Sequence, residues 1–188
     1  MGLNIYQSRT LDKLVDGLRK NDSRSQQAVY ERFSPTMFTV SLRYVKDHDS
    51  AQDVLLKSFM KVFSNIRQYQ GKGSFEGWIR RIVVNEALMF LRKYKNMSVE
   101  VDIQEAKDTA ASTHDHLEAE ELLHVVQQLP VGYRTVFNLY AIEGYSHAEI
   151  AEKLEISEGT SKSQLSRAKQ LLRQLLNRLD QSYRDQIG

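Results

Sequence analysis

Lys162, Ser163, Gln164, Ser166, Arg167, Lys169 and Gln170 crowd seven cationic, amide and hydroxyl side chains into nine positions. Cations and small hydroxyls hold phosphates, while Arg and Gln pair bidentately with base edges in a major groove. That is the chemistry of recognition rather than of bond making. Around these residues Leu165, Ala168, Leu172, Leu175 and Leu176 recur at steps of three and four, so a helix here turns them inward and the polar set outward. Any soluble helix has a polar outer face. This one lacks a single acid from Gly159 to Leu179, which favours DNA binding over plain solvation.

The elements that would position this face lie just upstream. Ser157 is a suitable N-cap for the helix, with Glu158 in its first turn, where a negative charge suits the helix dipole. Ser146 caps a shorter helix before it, whose Ile150, Ala151 and Leu154 share one face, and the small Ala151 permits a close crossing. Val136, Phe137, Leu139 and Tyr140 mark a helix before that, stopped by Gly144. Three consecutive helices ending in a helix-turn-helix result.

A second candidate surface lies in the first half. Arg80, Arg81, Arg92, Lys93 and Lys95 sit on a predicted long helix that runs from an N-cap at Ser74 to about Lys95, with Phe75, Trp78, Ile79, Ile82, Val83, Leu88 and Leu91 facing inward. The loop before it, Gln68-Tyr69-Gln70-Gly71-Lys72-Gly73-Ser74, mixes amide, aromatic, cation and glycine. Such a loop suits an unstacked base, because stacking on an aromatic contributes about 1–3 kcal/mol, comparable to the cost of flipping a base. Helical spacing assigns Phe75 and Trp78 to the core. Tyr69 fits a stacking surface and a packing role equally well. Earlier stripes predict further helices: Leu11, Leu14, Val15 and Leu18; Ala28, Val29 and Phe33; a segment opened by Pro35 and running to Val45; and one from about Ser50 to Phe63.

Residues 1–98 hold 17 Lys/Arg against 9 Asp/Glu, residues 99–130 hold 1 against 8, and residues 131–188 hold 8 against 7, a pattern hidden by a net charge of +2. The reading is therefore all-α: two small helical domains, 1–97 and 117–188, joined by an acidic flexible linker, 98–116. The linker charge fits either repulsion of non-specific DNA or simple solubility. With no cysteine there is no disulfide framework or thiolate metal site, which fits a cytoplasmic protein. The first ten residues show no signal peptide, and no run approaches the roughly 20 apolar residues of a membrane span, so no membrane insertion is expected. No Gly-rich loop follows a strand pattern, and neither HExxH nor a Ser-centred elbow occurs. No catalytic residue, cofactor, metal or small-molecule substrate is expected, and the chain is not read as an enzyme. His114 and His116, near Glu118, Glu120 and Glu121, are better explained as a solvated charge run than as metal ligands.

Two blocks carry a resemblance that extends over nearly all of the chain, to sigma factors of the extracytoplasmic-function (ECF) type. LPVGYRTVFNLYAIEGYSHAEIAEKLEISEGTSKSQLSRAKQLL (129–172) is similar to the domain that binds the upstream (−35) promoter element. FEGWIRRIVVNEALMFLRK (75–93) resembles the F-x-x-W-[LI]…N…R segment that faces the downstream (−10) element, and DSAQDVLLKSFMKVF (49–63) the stretch that docks on the polymerase clamp helices. The resemblance implies a factor that binds core RNA polymerase and directs it to promoter DNA, often restrained by an anti-sigma factor. It implies −35 contacts from Thr160, Lys162, Ser163, Gln164, Ser166, Arg167 and Lys169. The −10 contacts would come from Gln68, Tyr69, Lys72, Arg80, Arg81, Asn85, Arg92 and Lys93, with a flipped base held in the 68–74 loop. Docking would fall to Ala51, Asp53, Leu56, Lys57 and Phe59.

Five positions depart from the family pattern. Gln52, Leu56 and Lys57 replace Glu, Gln and Glu in the docking segment, Met89 stands where Asp is frequent, and Glu155 occupies a turn position where Gly is usual. At Glu155 a positive φ would bring backbone strain. The competing reading is a stand-alone helix-turn-helix regulator with an N-terminal dimerisation or sensing domain; the cationic 80–95 helix argues against it.

Overall fold

Local signals in this chain repeatedly start and stop helices, and the computed structural model, which describes residues 2–97 and 117–187, contains eight of them among those residues and no strand. The chain divides into two compact units, residues 1–99 and 100–188. Residues 98–116, read from sequence as the linker, lie outside the described residues, as do His114 and His116.

The first unit opens with α1 (Gly2–Arg19), which ends where Asn21 takes a left-handed φ of 58°. Asp22 caps α2 (Ser23–Tyr44), accepting from the Ser25 backbone N–H at 2.9 Å and the Ser25 hydroxyl at 2.6 Å. Asp47 caps α3 (His48–Ser64) in the same way, accepting from the Ser50 N–H at 2.7 Å. Hydrogen bonds from Ser25 and Ser50 hold both carboxyls below the usual aspartate range. Both caps are therefore fully present at neutral pH and are lost only in acid, as pH falls through the lowered values. A 3₁₀ turn (Ile66–Gln68) leads to the 69–74 loop, and Ser74 caps α4 (Phe75–Met97), accepting from the Gly77 N–H at 3.0 Å.

α2 corrects one expectation. Pro35 does not open a new helix; it sits inside a single one. Proline in a helix interior costs about 3 kcal/mol through a missing N–H and a ring clash. The buried stripe Val29, Phe33, Met37, Val40 and Tyr44 keeps its three-and-four spacing across the proline. Burying each such side chain contributes about 1.5–3 kcal/mol, so continuity wins. Pro35 itself faces solvent, where the carbonyl it leaves free can bind water.

α2, α3 and α4 pack on one another, with α1 against α2 and the 3₁₀ turn. Ala51, Val54, Leu55, Phe59 and Val62 of α3 meet Phe75, Ile79, Val83, Val84 and Ala87 of α4 in the core. The α1–α2 crossing depends on Gly17. A Cβ there would lie 1.9 Å from the Ser25 hydroxyl oxygen and 2.7 Å from its Cβ.

The second unit comprises α5 (Leu117–Gln127), α6 (Val131–Phe137) continued by a π-helical turn (Asn138–Ile142), α7 (His147–Leu154) and α8 (Glu158–Ile187). α5 adds a helix ahead of the three that the spacing predicts. Val125 and Leu129 pack with Ala168 and Leu172, with Phe137, Leu171 and Leu175 around them. Val136, Leu139, Ile150 and Leu165 are also buried. Leu176, read from spacing as an inward residue, is 39% exposed, as is Tyr140. For Leu176 the reason is simple: the inward face of α8 is already filled by Leu172 and Leu175, and Leu176 lies past its edge.

Trp78 is the chain's single tryptophan and belongs to the first unit, so its fluorescence reports that unit alone. Gly17→Ala is expected to lower the stability of the first unit by about 1–3 kcal/mol through overpacking, seen as an earlier Trp78 melting transition. Leu165→Ala is expected to destabilise the second unit by about 2–5 kcal/mol, seen in helical circular dichroism with the Trp78 transition unmoved. A common shift of both signals would contradict two independently packed units.

Candidate nucleic-acid interfaces

The surface on the second unit is set by the start of α8. Ser146 and Glu149 form a reciprocal capping box on α7: the Glu149 N–H donates to the Ser146 hydroxyl at 3.3 Å, and the Ser146 N–H donates to the Glu149 carboxylate at 2.8 Å. The turn after α7 passes through Glu155, at φ 56° and ψ 45°. The left-handed conformation anticipated there is present, without the glycine that would relieve it. Ser157 then caps α8, accepting from the Thr160 N–H at 3.0 Å.

Three further contacts lock the helix-turn-helix. His147 Nδ1 and the buried Ser161 hydroxyl lie 2.8 Å apart, joining the first residue of α7 to the first turn of α8. The His147 ring stacks on Tyr140 with centroids 4.6 Å apart, and Lys169 Nζ lies 5.8 Å from the centre of the same Tyr140 ring. Tyr140 is thus partly exposed because it forms an outer layer over the joint.

With α8 oriented this way, Lys162, Ser163, Ser166, Arg167 and Lys169 are all exposed. Lys162 is tethered to Glu158 at 3.4 Å, and Arg167 reaches the Tyr133 hydroxyl at 3.4 Å. Thr160 and Gln164 are only half-exposed: the Thr160 hydroxyl is bound to Ser157 at 2.8 Å, and Gln164 covers Gly132. Spacing alone does not show these prior engagements.

Arg134 escapes sequence inspection altogether. It is 3% exposed, and its guanidinium donates to the Gln127 and Leu129 carbonyls at 3.2 and 3.0 Å. These are carbonyls that the end of α5 leaves without helical partners, so Arg134 fastens α5 to α6. Burial pushes its pKa down to about 10, which still leaves it charged at neutral pH. The available signal was the Leu129-Pro130 helix stop four residues earlier, whose carbonyls need a donor.

On the first unit, Gly71 (φ 75°) and Gly73 (φ 78°) shape the 69–74 loop. Tyr69 is half-buried, its ring 5.0 Å from Phe75 and 5.5 Å from Trp78, and its hydroxyl donates to the Gly73 carbonyl at 3.1 Å. Phe75 is buried and Trp78 stacks on it at 5.7 Å, as their spacing predicts. Gln68 and Lys72 are exposed. Along α4, Arg81, Asn85 and Arg92 are exposed on one face, with Met89 (55% exposed) between the last two; Lys93 is exposed next to it. Arg80 is half-buried and paired with Glu76 at 3.7 Å.

The docking segment on α3 splits in two. Ala51 and Phe59 are core residues, at 0% and 2% exposure, so they present no surface to a partner and act by fixing the helix. Asp53, Leu56 and Lys57 are exposed, together with Met60, which the sequence reading did not select. Lys61 pairs with Glu86 and fastens this face of α3 to α4.

The strained turn offers a direct test. A left-handed non-glycine residue costs about 1–2 kcal/mol. Glu155→Gly is therefore expected to raise the stability of the second unit by up to about 1 kcal/mol, after the added freedom of glycine in the unfolded chain is offset. An unchanged or lowered denaturation midpoint would show that Glu155 carries no strain.

Comparison with known proteins agrees with this geometry. The family description "Sigma-70 region 2" matches residues 29–97, and "Sigma-70, region 4" matches residues 119–172. The RNA polymerase sigma factor SigV of Bacillus subtilis is 30% identical over 145 residues, covering 77% of this chain and 87% of that protein. The RNA polymerase sigma-H factor of Pseudomonas aeruginosa is 26% identical over 182 residues, covering 89% and 94%. The ECF RNA polymerase sigma-E factor of Haemophilus influenzae is 27% identical over 173 residues, covering 85% and 91%. Among solved structures, the sigma factor RpoE of Bartonella quintana, crystallised with the anti-sigma factor NepR, has the same fold: TM-score 0.54, 22% identity, and coverage of 80% of this chain and 96% of that one. With a region 2 unit followed by a region 4 unit, the chain belongs to the RNA polymerase sigma factors, in their ECF group.

Proposed function

We propose that this sigma factor binds core RNA polymerase and brings it to promoter DNA, reading the −35 element with α8 and opening the −10 element with α4 and the 69–74 loop. The observation that carries this reading is the outward face of α8 after its first residue: from Gly159 to Leu179 it holds cations, amides and hydroxyls without an acid, opposite a face that is buried. Arg167, Lys162, Ser163, Ser166 and Lys169 are the foremost −35 contacts, with Thr160 and Gln164 at the edge of the face. Gln68, Lys72, Arg81, Asn85, Arg92 and Lys93 are the foremost −10 contacts, with Arg80 and Tyr69 more enclosed. Asp53, Leu56 and Lys57 are the accessible part of the docking segment, supported from beneath by Ala51 and Phe59.

The factor contributes binding and duplex opening, while bond formation belongs to the polymerase. It acts in the cytoplasm, and an anti-sigma factor is its proposed restraining partner. No described helix is long and apolar enough to cross a membrane. The stand-alone regulator is disfavoured because the first unit matches a sigma-factor region and not a separate sensing domain.

Arg167→Ala is expected to weaken −35 binding by about 1–3 kcal/mol and to relax preference at one or two base pairs. Affinities of the polymerase complex for single-base promoter variants provide the measurement. A uniform loss across all variants, with a shallower salt dependence, would make Arg167 a phosphate contact instead.

A further inference from the structure

Arg19 spends its guanidinium on two partners. One nitrogen pairs with Asp16 at 3.1 Å, one turn back on α1, and the other donates to the Tyr69 carbonyl at 3.1 Å, fifty residues away. The planar fork of Arg serves both in a fixed geometry, which the single ammonium of Lys does not. The loop that receives this bond has little else to hold it. A Cβ at Gly71 or Gly73 would meet nothing within 4 Å, and a cleft of about 600 Å³ separates the loop from α1 and α2. Its other ties lie at its two ends: the Tyr69 ring against Phe75 and Trp78, the Tyr69 hydroxyl to the Gly73 carbonyl, and Ser74, which accepts from the Gly77 and Trp78 N–H groups. Gly17, two residues before Arg19, lets α1 approach α2 closely enough to fix this reach. α1 precedes the residues matched to region 2.

We propose that Arg19 is a positioning residue for base selection in the −10 element: by clamping the Tyr69 carbonyl to α1 it holds the 69–74 loop in its base-receiving shape. The inference rests on the reading that this loop holds an extruded base. Arg19 and the Tyr69 carbonyl are both solvent-accessible, so releasing them frees the loop without opening the core. The signature is therefore lost discrimination, not lost folding.

The test uses the full chain assembled with core polymerase, on a promoter first found by run-off transcription and remade with each of the four bases at every −10 position. Open-complex formation is followed by permanganate reactivity, alongside polymerase affinity and Trp78 melting. The wild-type factor is expected to prefer one base at one position. Arg19→Ala is expected to flatten that preference about tenfold, the effect of losing a charge-assisted hydrogen bond, with polymerase affinity and melting unchanged. Arg19→Lys is expected to restore only part of it, and Lys20→Ala, which removes a neighbouring exposed charge, none of the preference should be lost. Full preference in Arg19→Ala would overturn the inference and leave base capture standing. Full rescue by Lys, or an equal loss on all four bases, would make Arg19 a simple charge. A wild-type factor with no base preference anywhere in the −10 element would overturn base capture and this inference together.

Discussion

The two long polar faces of this protein depend on one constraint: α4 and α8 each bury one face so completely that the other is fixed outward. Phe75, Ile79, Val83, Val84 and Ala87 are at most 1% exposed, which leaves Arg81, Asn85 and Arg92 no orientation but solvent. Leu165, Ala168 and Leu172 do the same for Lys162, Ser166, Arg167 and Lys169. A cationic stripe on a loosely held helix would average over many directions and lose any register with DNA. Here the apolar half supplies the energy and the polar half inherits the geometry.

Small and polar residues then set the fine positions. Gly17 brings α1 against α2, Ser161 lets α8 bond to His147 at the start of α7, and Arg134 closes the end of α5. Each of these acts where two helices meet, and none belongs to an outward face. The one strained backbone residue in the helix-turn-helix, Glu155, also lies at a joint, between α7 and α8. The left-handed turn there is retained although the residue does not favour it, because burial of Ile150 on one side and Leu165 on the other dictates the crossing.

Much of this was readable from the chain alone, wherever a local signal and the apolar period agreed. The N-caps at Ser74, Ser146 and Ser157 and the polar face of α8 are such cases, whereas the positive φ at Glu155 is suggested only by the resemblance, which has Gly at that turn. Pro35 misleads because it is a strong local breaker, while the apolar stripe that overrides it continues unbroken from Val29 to Tyr44. Ala51 and Phe59 were selected by resemblance, which marks positions that matter without separating those that touch a partner from those that hold the helix. Arg134, the His147–Ser161 bond and the reach of Arg19 to Tyr69 link residues whose relation only the packed helices create. No spacing rule along the chain encodes them.

The central claim is that this chain confers promoter choice on a polymerase that lacks it. The most direct measurement is run-off transcription by purified bacterial core RNA polymerase on a mixed genomic template, with and without the chain. The account predicts discrete transcripts that appear only when the chain is present. Absence of such transcripts, together with tight sequence-specific DNA binding by the chain alone, would contradict it and identify a stand-alone regulator.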